Sequence, residues 1–204
     1  MYEKLPEELK KDGWFCLWKY EERNGRITKV PYQINGKKAS SADKNTFSDF
    51  RMAVNAMDDY DGIGMGAFDD FCMVDIDHCV CGGKLTRMAD IIEKMDSYTE
   101  ISPSGTGVRI VCKASSMFYD KGRYYINNSK IGLEIYAAGV TKKFCTLTGN
   151  AIRNCGVEER SGQLGIILET YMLRPIPKEK NREQDIPGSY LSDNSVVHLA
   201  SDSR

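Results

Sequence analysis

The spacing of apolar residues changes several times along the chain, and each change marks an element. Residues 5–11 read as a short helix ended by Gly13. WFCLWKYEE and RITKVPYQ flank Arg23-Asn24-Gly25, and an Asn-Gly pair supplies the positive φ of a tight turn, so a β-hairpin is predicted there. After a polar loop over residues 35–45, Thr46-Phe-Ser-Asp49 resembles a capping box opening a helix through Met57, with Phe50, Val54 and Met57 on one face. GIGMGAF and FCMVDID read as two strands joined across Asp69-Asp70. Gly82-Gly83 then breaks the chain before a second helix carrying Leu85, Met88, Ile91, Ile92 and Met95 at helical spacing. Further strands are expected at YTEIS, VRIVCK, IGLEIYA and KFCTLTG, with the loop SPSGTG between the first two, and a closing helix at residues 163–171. Strands and helices in this order predict an α+β sandwich rather than an alternating parallel sheet. Beyond Leu173 the composition turns polar, with Pro175, Pro177 and Pro187, and reads as a linker before LSDNSVVHLASDSR, which looks like the opening of another helix.

Composition narrows the class. The 204 residues suit one domain with a sizeable core, and 41 % hydrophobic content excludes a disordered chain. No stretch approaches the roughly 18 uncharged apolar residues that a membrane span needs, and the N-terminus lacks the apolar run of a signal peptide. Seven scattered cysteines, most of them inside apolar runs, suit a reducing, cytoplasmic setting. His78, Cys79 and Cys81 invite a metal reading, but no second Cys/His pair stands at zinc-ligand spacing.

A net charge of −1 argues at first against a nucleic-acid-binding protein. Divided along the chain, however, the charge is +3 over residues 1–51, −8 over 52–100, +5 over 101–145 and −1 over 146–204. No Lys or Arg occurs between Arg51 and Lys84, where Asp58, Asp59, Asp61, Asp69, Asp70, Asp75 and Asp77 accumulate. A solvated loop accounts for most of these aspartates, but not for Asp75 and Asp77. In a strand, side chains at i and i+2 share a face about 7 Å apart, so Val74 and Ile76 occupy one face of FCMVDID and the two aspartates the other. Two like charges there are tolerable on a wet strand face, or with a cation between them. Glu134 alternates out of IGLEIYA in the same way; if the two strands are neighbours, Asp75, Asp77 and Glu134 can converge on one or two metal ions.

The cationic candidates lie nearby in the sequence. Ser102-Pro-Ser-Gly-Thr-Gly107 lets backbone amides approach a ligand, although it lacks the Lys-Ser/Thr of a P-loop. Arg109 alternates out of the next strand, suited to triphosphate oxygens or to pairing with one of the acids. Lys142 and Lys143 follow the Glu134 strand and Lys29 lies in the hairpin; singly each reads as solvated, together they supply charge for a nucleotide and a template. Trp14, Trp18, Tyr32 and Tyr136 offer rings for base stacking, with core packing the alternative for the two Trp.

VDID, SPSGTGVRI and LEIY…KKFCTLTG, in that order, resemble the three motifs of the archaeo-eukaryotic primase superfamily, and more closely the prim-pol domains of phage and plasmid primase–helicase proteins. The likeness runs from about Trp14 to Asn150. It implies a prim-pol fold, with a catalytic core like the RNA-recognition motif beside an N-terminal αβ unit. The prim-pol domain would be residues 1–172, and 173–204 a polar linker with the start of a truncated helical segment. It implies a nucleotidyltransferase: a DNA primase or primase-polymerase acting on nucleoside triphosphates and a single-stranded DNA template, with Mg²⁺ or Mn²⁺ in a two-metal site and a replicative helicase as partner. Asp75, Asp77 and Glu134 take the metal-ligand positions, while Ser104, Gly105 and Gly107 line the nucleotide site, with Arg109, Lys142, Lys143 and Lys29 beside them. The family's second motif usually ends in His; Arg109 stands there instead, keeping phosphate binding within reach but not proton transfer near neutrality. The alternative is a nucleic-acid- or nucleotide-binding module without turnover that acts with a helicase. No Walker-type motif is present, so ATP-driven motor activity is not expected of this chain.

Overall fold

The computed structural model describes residues 2–175. In chain order it contains α1 (Glu7–Asp12), β1 (Phe15–Arg23), β2 (Arg26–Tyr32), α2 (Phe50–Asn55), β3 (Gly62–Gly66) and β4 (Phe71–Ile76). There follow β5 (Val80–Cys81), β6 (Lys84–Leu85), α3 (Ala89–Met95), β7 (Thr99–Ile101), β8 (Val108–Lys113) and β9 (Asn127–Asn128). The last elements are β10 (Leu133–Tyr136), β11 (Phe144–Thr146), β12 (Ala151–Arg153) and α4 (Ser161–Tyr171). No helix of the described residues is long and apolar enough to cross a membrane.

The strands form two antiparallel sheets. A four-stranded sheet has the order β11-β3-β1-β2 and a six-stranded sheet the order β12-β7-β8-β4-β10-β9, while β5 and β6 make a separate two-stranded ribbon. The hairpin β1–β2 turns at Asn24 (φ 53°) and Gly25 (φ 73°), the conformation that Asn-Gly favours. Successive strands β3 and β4 belong to different sheets, so the Asp69-Asp70 turn carries the chain from one layer to the other.

Alternation along β4 explains why its apolar run is unbroken. Cys72, Val74 and Ile76 pack with Val108, Ile110, Leu133 and Ile135 beneath Ile91, Ile92 and Met95 of α3 and Leu164, Ile167 and Leu168 of α4. Phe71 and Met73 join a second core with Val111 and Tyr136 of their own sheet, Tyr98 just before β7, and Phe15, Leu17, Ile63 and Met65 of the other sheet. A strand covered on both faces reads as continuously hydrophobic. Full burial of a side chain such as Ile76 or Ile110 contributes about 1.5–3 kcal/mol.

Three expectations are corrected. The cap of α2 is Asp49, whose carboxylate accepts the Met52 amide at 2.9 Å, and the helix stops at Asn55. Thr46 sits in an earlier 3-10 turn, where its hydroxyl serves Ser40 and Asp43. Leu85 and Met88 keep helical spacing but lie outside α3: Leu85 pairs with Val80 in the ribbon, and Met88 adopts φ 56° before the first helical residue. The short strands β5, β6, β9 and β12 were not expected from the pattern. At the other end, Leu173 bridges to Tyr124 and the Arg174 amide donates to the Arg123 carbonyl. The linker and helix expected further on lie, past Pro175, outside the described residues.

Candidate active site

The site grows out of one row of residues across the six-stranded sheet. Register pairs Asn127 with Glu134, Glu134 with Asp75, Asp75 with Arg109, and Arg109 with Glu100. Directly opposed residues point to the same face, so four ionisable side chains stand side by side where two apolar layers meet. A cavity of about 390 Å³ opens over the row. Asp75, Asp77, Glu134 and Arg109 line it, with Lys29 from β2, Tyr136 from β10, and Lys143, Phe144 and Thr146 from in and beside β11.

Asp75 is 7 % exposed. The Tyr136 hydroxyl donates to its Oδ2 at 3.1 Å. Arg109 Nε lies 3.5 Å from Oδ1, and neither of those two buried atoms has a hydrogen-bond partner. Burial raises the Asp75 pKa above the ordinary carboxylate range, with the Arg109 charge opposing and the Asp77 charge adding to the rise. Arg109 is itself 6 % exposed, and its Nη1 donates to the carbonyl of Thr146 at 2.6 Å and to the Thr146 hydroxyl. The guanidinium therefore ties β8 to the edge strand of the other sheet while facing Asp75. Of the two uses open to Arg109 in the sequence, this geometry displays pairing with an acid.

The Glu134 carboxylate accepts a hydrogen bond from the side-chain Nδ2 of Asn127 and lies 3.8 Å from Lys143 Nζ. Asp77 falls just past the end of β4 and is exposed. Its backbone, rather than its side chain, is held: its amide donates to the Gly132 carbonyl at 2.8 Å and its carbonyl accepts from Arg87. Arg87 also donates to the carbonyls of His78 and Ile131, so one side chain fixes the whole turn. Two glycines flank it. A Cβ on Gly107 would lie 2.7 Å from the Ile76 carbonyl oxygen, and one on Gly132 3.3 Å from the Asp77 Cβ.

The SPSGTG loop is braced internally. Ser102 Oγ accepts the Gly107 amide at 3.1 Å, and the hydroxyls of Ser102, Ser104 and Thr106 form a chain at 3.0 Å per link. Gly107 packs on Asp77, but Ser104, Gly105 and Gly107 do not line the cavity. Lys142 and Lys143 diverge: Lys143 faces the cavity, whereas Lys142, at φ 53°, lines a neighbouring cavity of about 270 Å³ with Lys44. Lys29 faces the main cavity, 5.8 Å from the Trp18 ring, and its pKa is lowered by burial and then by the Arg109 charge. Ser41 lines both cavities, although nothing in its spacing marks it, and Phe144 and Thr146 line the main one from within KKFCTLTG, where no chemistry singles them out. Tyr136 was expected as a stacking ring and instead supplies Asp75's hydrogen bond. Tyr32 donates to Glu21, and Trp18 is buried.

Among the described residues, no three His, Cys, Asp or Glu side chains stand together at metal-ligating distance. The three carboxylates share a cavity rather than a formed ligand set: Asp75 faces Tyr136 and Arg109, and Glu134 faces Asn127. The donor chemistry nevertheless fits a hard divalent cation, which takes carboxylate oxygens and keeps waters and phosphates as its other ligands. Asp75 Oδ1, buried without a hydrogen bond, is the kind of acceptor such an ion satisfies.

No family model matches the chain. Over 149 residues, 69 % of its length, it is 32 % identical to a protein named DNA Primase-polymerase from Nitratiruptor phage NrS-1. The chain spans about a fifth of the length of that relative, 20 %. The likeness supports a relationship between this chain and the primase-polymerase family.

Proposed function

We propose that the chain is a prim-pol domain of the archaeo-eukaryotic primase superfamily, catalysing template-directed nucleotidyl transfer in the replication of a phage or plasmid. The observation that carries this reading is the single cavity in which Asp75, Asp77 and Glu134 meet Lys29 and Lys143. Acids and bases lined up together suit a substrate with phosphates and a divalent cation. A 3′-hydroxyl oxygen forms a bond to the α-phosphorus of a nucleoside triphosphate, the bridging α–β P–O bond breaks, pyrophosphate leaves, and the hydroxyl proton passes to solvent.

Asp75 and Asp77, with Glu134, would hold Mg²⁺ or Mn²⁺, which supplies Lewis acidity toward the hydroxyl and the phosphate oxygens. Lys29 and Lys143 neutralise the triphosphate. Arg109 holds Asp75 in place, and the Ser102–Gly107 loop and Arg87 fix the backbone at Asp77. A single-stranded DNA template and a helicase acting on the same replicating DNA complete the proposed context.

The test supplies single-stranded template, nucleotides and Mn²⁺ or Mg²⁺ to the wild type and to Asp75→Asn/Asp77→Asn. Synthesis by the wild type and its loss in the variant support the reading; equal activity overturns it. A second reading, a nucleotide- or nucleic-acid-binding module without turnover, draws on the absence of a formed three-carboxylate ligand set among the described residues. It expects triphosphate binding without product.

A further inference from the structure

A third cavity, of about 310 Å³, shares no lining residue with the first and is of another character. Tyr2, Trp18, Tyr20 and Leu147 give it aromatic and apolar walls, Asp61 and Thr148 its polar groups, and Pro103 of the SPSGTG loop its rim. We propose that this cavity takes an unpaired nucleobase of a single nucleic-acid strand, stacked on Tyr20 and read by Asp61; the inference rests on the strand-templated function above and extends it to where the strand lies.

Tyr20 is 48 % exposed, unusual for an aromatic residue on a strand whose other rings are buried. Its ring stands at 88° to that of Trp18, with centroids 5.0 Å apart, so the two rings are not stacked on each other and Tyr20 keeps ring surface for a ligand. The position is held from the backbone, because the Tyr20 amide donates to Asp61 Oδ2 at 2.7 Å and the Asp61 amide donates to the Trp18 carbonyl at 3.0 Å. Asp61 thus sits in the cavity as an oriented acceptor with lone pairs left over.

The lining also says which source of base fits. It holds a carboxylate and no Lys or Arg, so a free nucleotide would bring its triphosphate beside an anion with no cation to offset it. A base from a strand avoids that clash, since its phosphodiesters run outside the cavity. Lys29, directly opposite Tyr20 in the β1–β2 register, lines the main cavity rather than this one. An acceptor-only carboxylate favours bases with an amino group, such as cytosine and adenine, over thymine, whose one ring N–H lies between two carbonyl oxygens.

The experiment measures fluorescence anisotropy of labelled single strands of dC, dA, dT and an abasic backbone, with chelator present, against the full chain. The proposal expects dC and dA to bind more tightly than dT and the abasic strand. It expects Tyr20→Ala to weaken dC binding roughly 5- to 150-fold, the range that loss of one base–aromatic stack gives. Tyr20→Phe should retain the affinity and Asp61→Asn should erase the preference over dT, with circular dichroism and urea midpoints showing that each variant folds. Unchanged dC binding by folded Tyr20→Ala overturns the proposal, as does an abasic strand that binds as well as dC. Equal weakening of nucleoside triphosphate binding would assign the cavity to a free nucleotide and overturn it too. If the wild type synthesises nothing on a template, the function proposed above fails while Tyr20-dependent strand binding still decides this one. Asp75→Asn/Asp77→Asn should lose synthesis and keep the dC affinity.

Discussion

Asp75 and Arg109 are cross-strand partners whose charged groups face each other at 3.5 Å, both buried, with Asp75 Oδ1 and Arg109 Nε making no hydrogen bond. Such a pair gives little net stability, yet removing one member strands a buried charge, at a cost of about 3–5 kcal/mol. Arg109→Met should therefore lower the unfolding free energy by roughly that amount. Asp75→Leu/Arg109→Met should recover most of the loss, because an apolar pair of similar volume leaves no charge behind. Urea unfolding of the two proteins checks both statements; a double variant no better than the single one would refute the pairing.

Tyr136 supplies the hydrogen bond that Asp75 does receive, at 3.1 Å. Tyr136→Phe keeps the ring and removes the donor, at a cost of about 1–3 kcal/mol for an acceptor left unsatisfied. Calorimetric titration with Mn²⁺ should also show weaker binding by about 10–100-fold, the usual penalty for removing a partner of a ligating group. Unchanged stability and unchanged Mn²⁺ affinity together would exclude any role for this hydroxyl.

Gly107 faces a backbone that cannot move aside, since an added Cβ meets the Ile76 carbonyl oxygen at 2.7 Å. Gly107→Ala should cost about 1–3 kcal/mol through overpacking. Because the displaced atoms adjoin Asp77, template-directed synthesis should fall more than stability does. Gly105→Ala differs, having open space around it but φ +75°, so it strains the loop without pushing on Asp77. Parallel assays of the two variants separate the effects.

Glu159 sets an acid limit on stability. Burial of its carboxyl works against ionisation, but the hydroxyl and amide of Ser161 and of Ser115 all donate to it, lowering its pKa from 4.5 to about 2. A depressed carboxyl pKa stabilises the fold above the unfolded-state value and ceases to do so as pH falls from about 4.5 toward 2. Glu159→Gln should cost about 1 kcal/mol at neutral pH, a cap-sized contribution at an exposed position, and nearly nothing at the acid end. Urea midpoints at neutral and strongly acid pH test the sign: a difference that grows on acidification would contradict it.

Much of this arrangement was legible in the sequence, because alternation is a local property. VDID and LEIY each declare which residues share a face, and the structure keeps Val74 and Ile76 opposite Asp75 and Leu133 opposite Glu134. What alternation does not encode is register between strands far apart in the chain. That Glu134 meets Asp75, and that Arg109 lies on its other side, follows from how β8, β4 and β10 slide against one another to fill two cores. Thr46 does not cap the helix because its hydroxyl is engaged by Ser40 and Asp43 in the earlier turn, while Asp49, three residues on, stands at the true helix start and accepts the Met52 amide. Leu85 failed because the two glycines before it close a ribbon in which Leu85 pairs with Val80, overriding its helical spacing. Thr146 and Ser41 carry no chemical signal of their own; they matter through what folds against them.

The row of opposed charges across the six-stranded sheet also bears on how the chain finds its fold. Strand β4 is apolar toward both neighbours, so hydrophobicity alone hardly separates the native pairing from one displaced by a single residue. Such a slip would turn Asp75 into the core beneath α3 and α4, among Ile91, Leu133 and Ile135, with neither Arg109 nor Tyr136 to meet it. The carboxylate that we assign to chemistry is thereby also a proofreading mark: it makes the misaligned sheet expensive, and a substitution that removes it should widen the set of alignments the strand samples while folding.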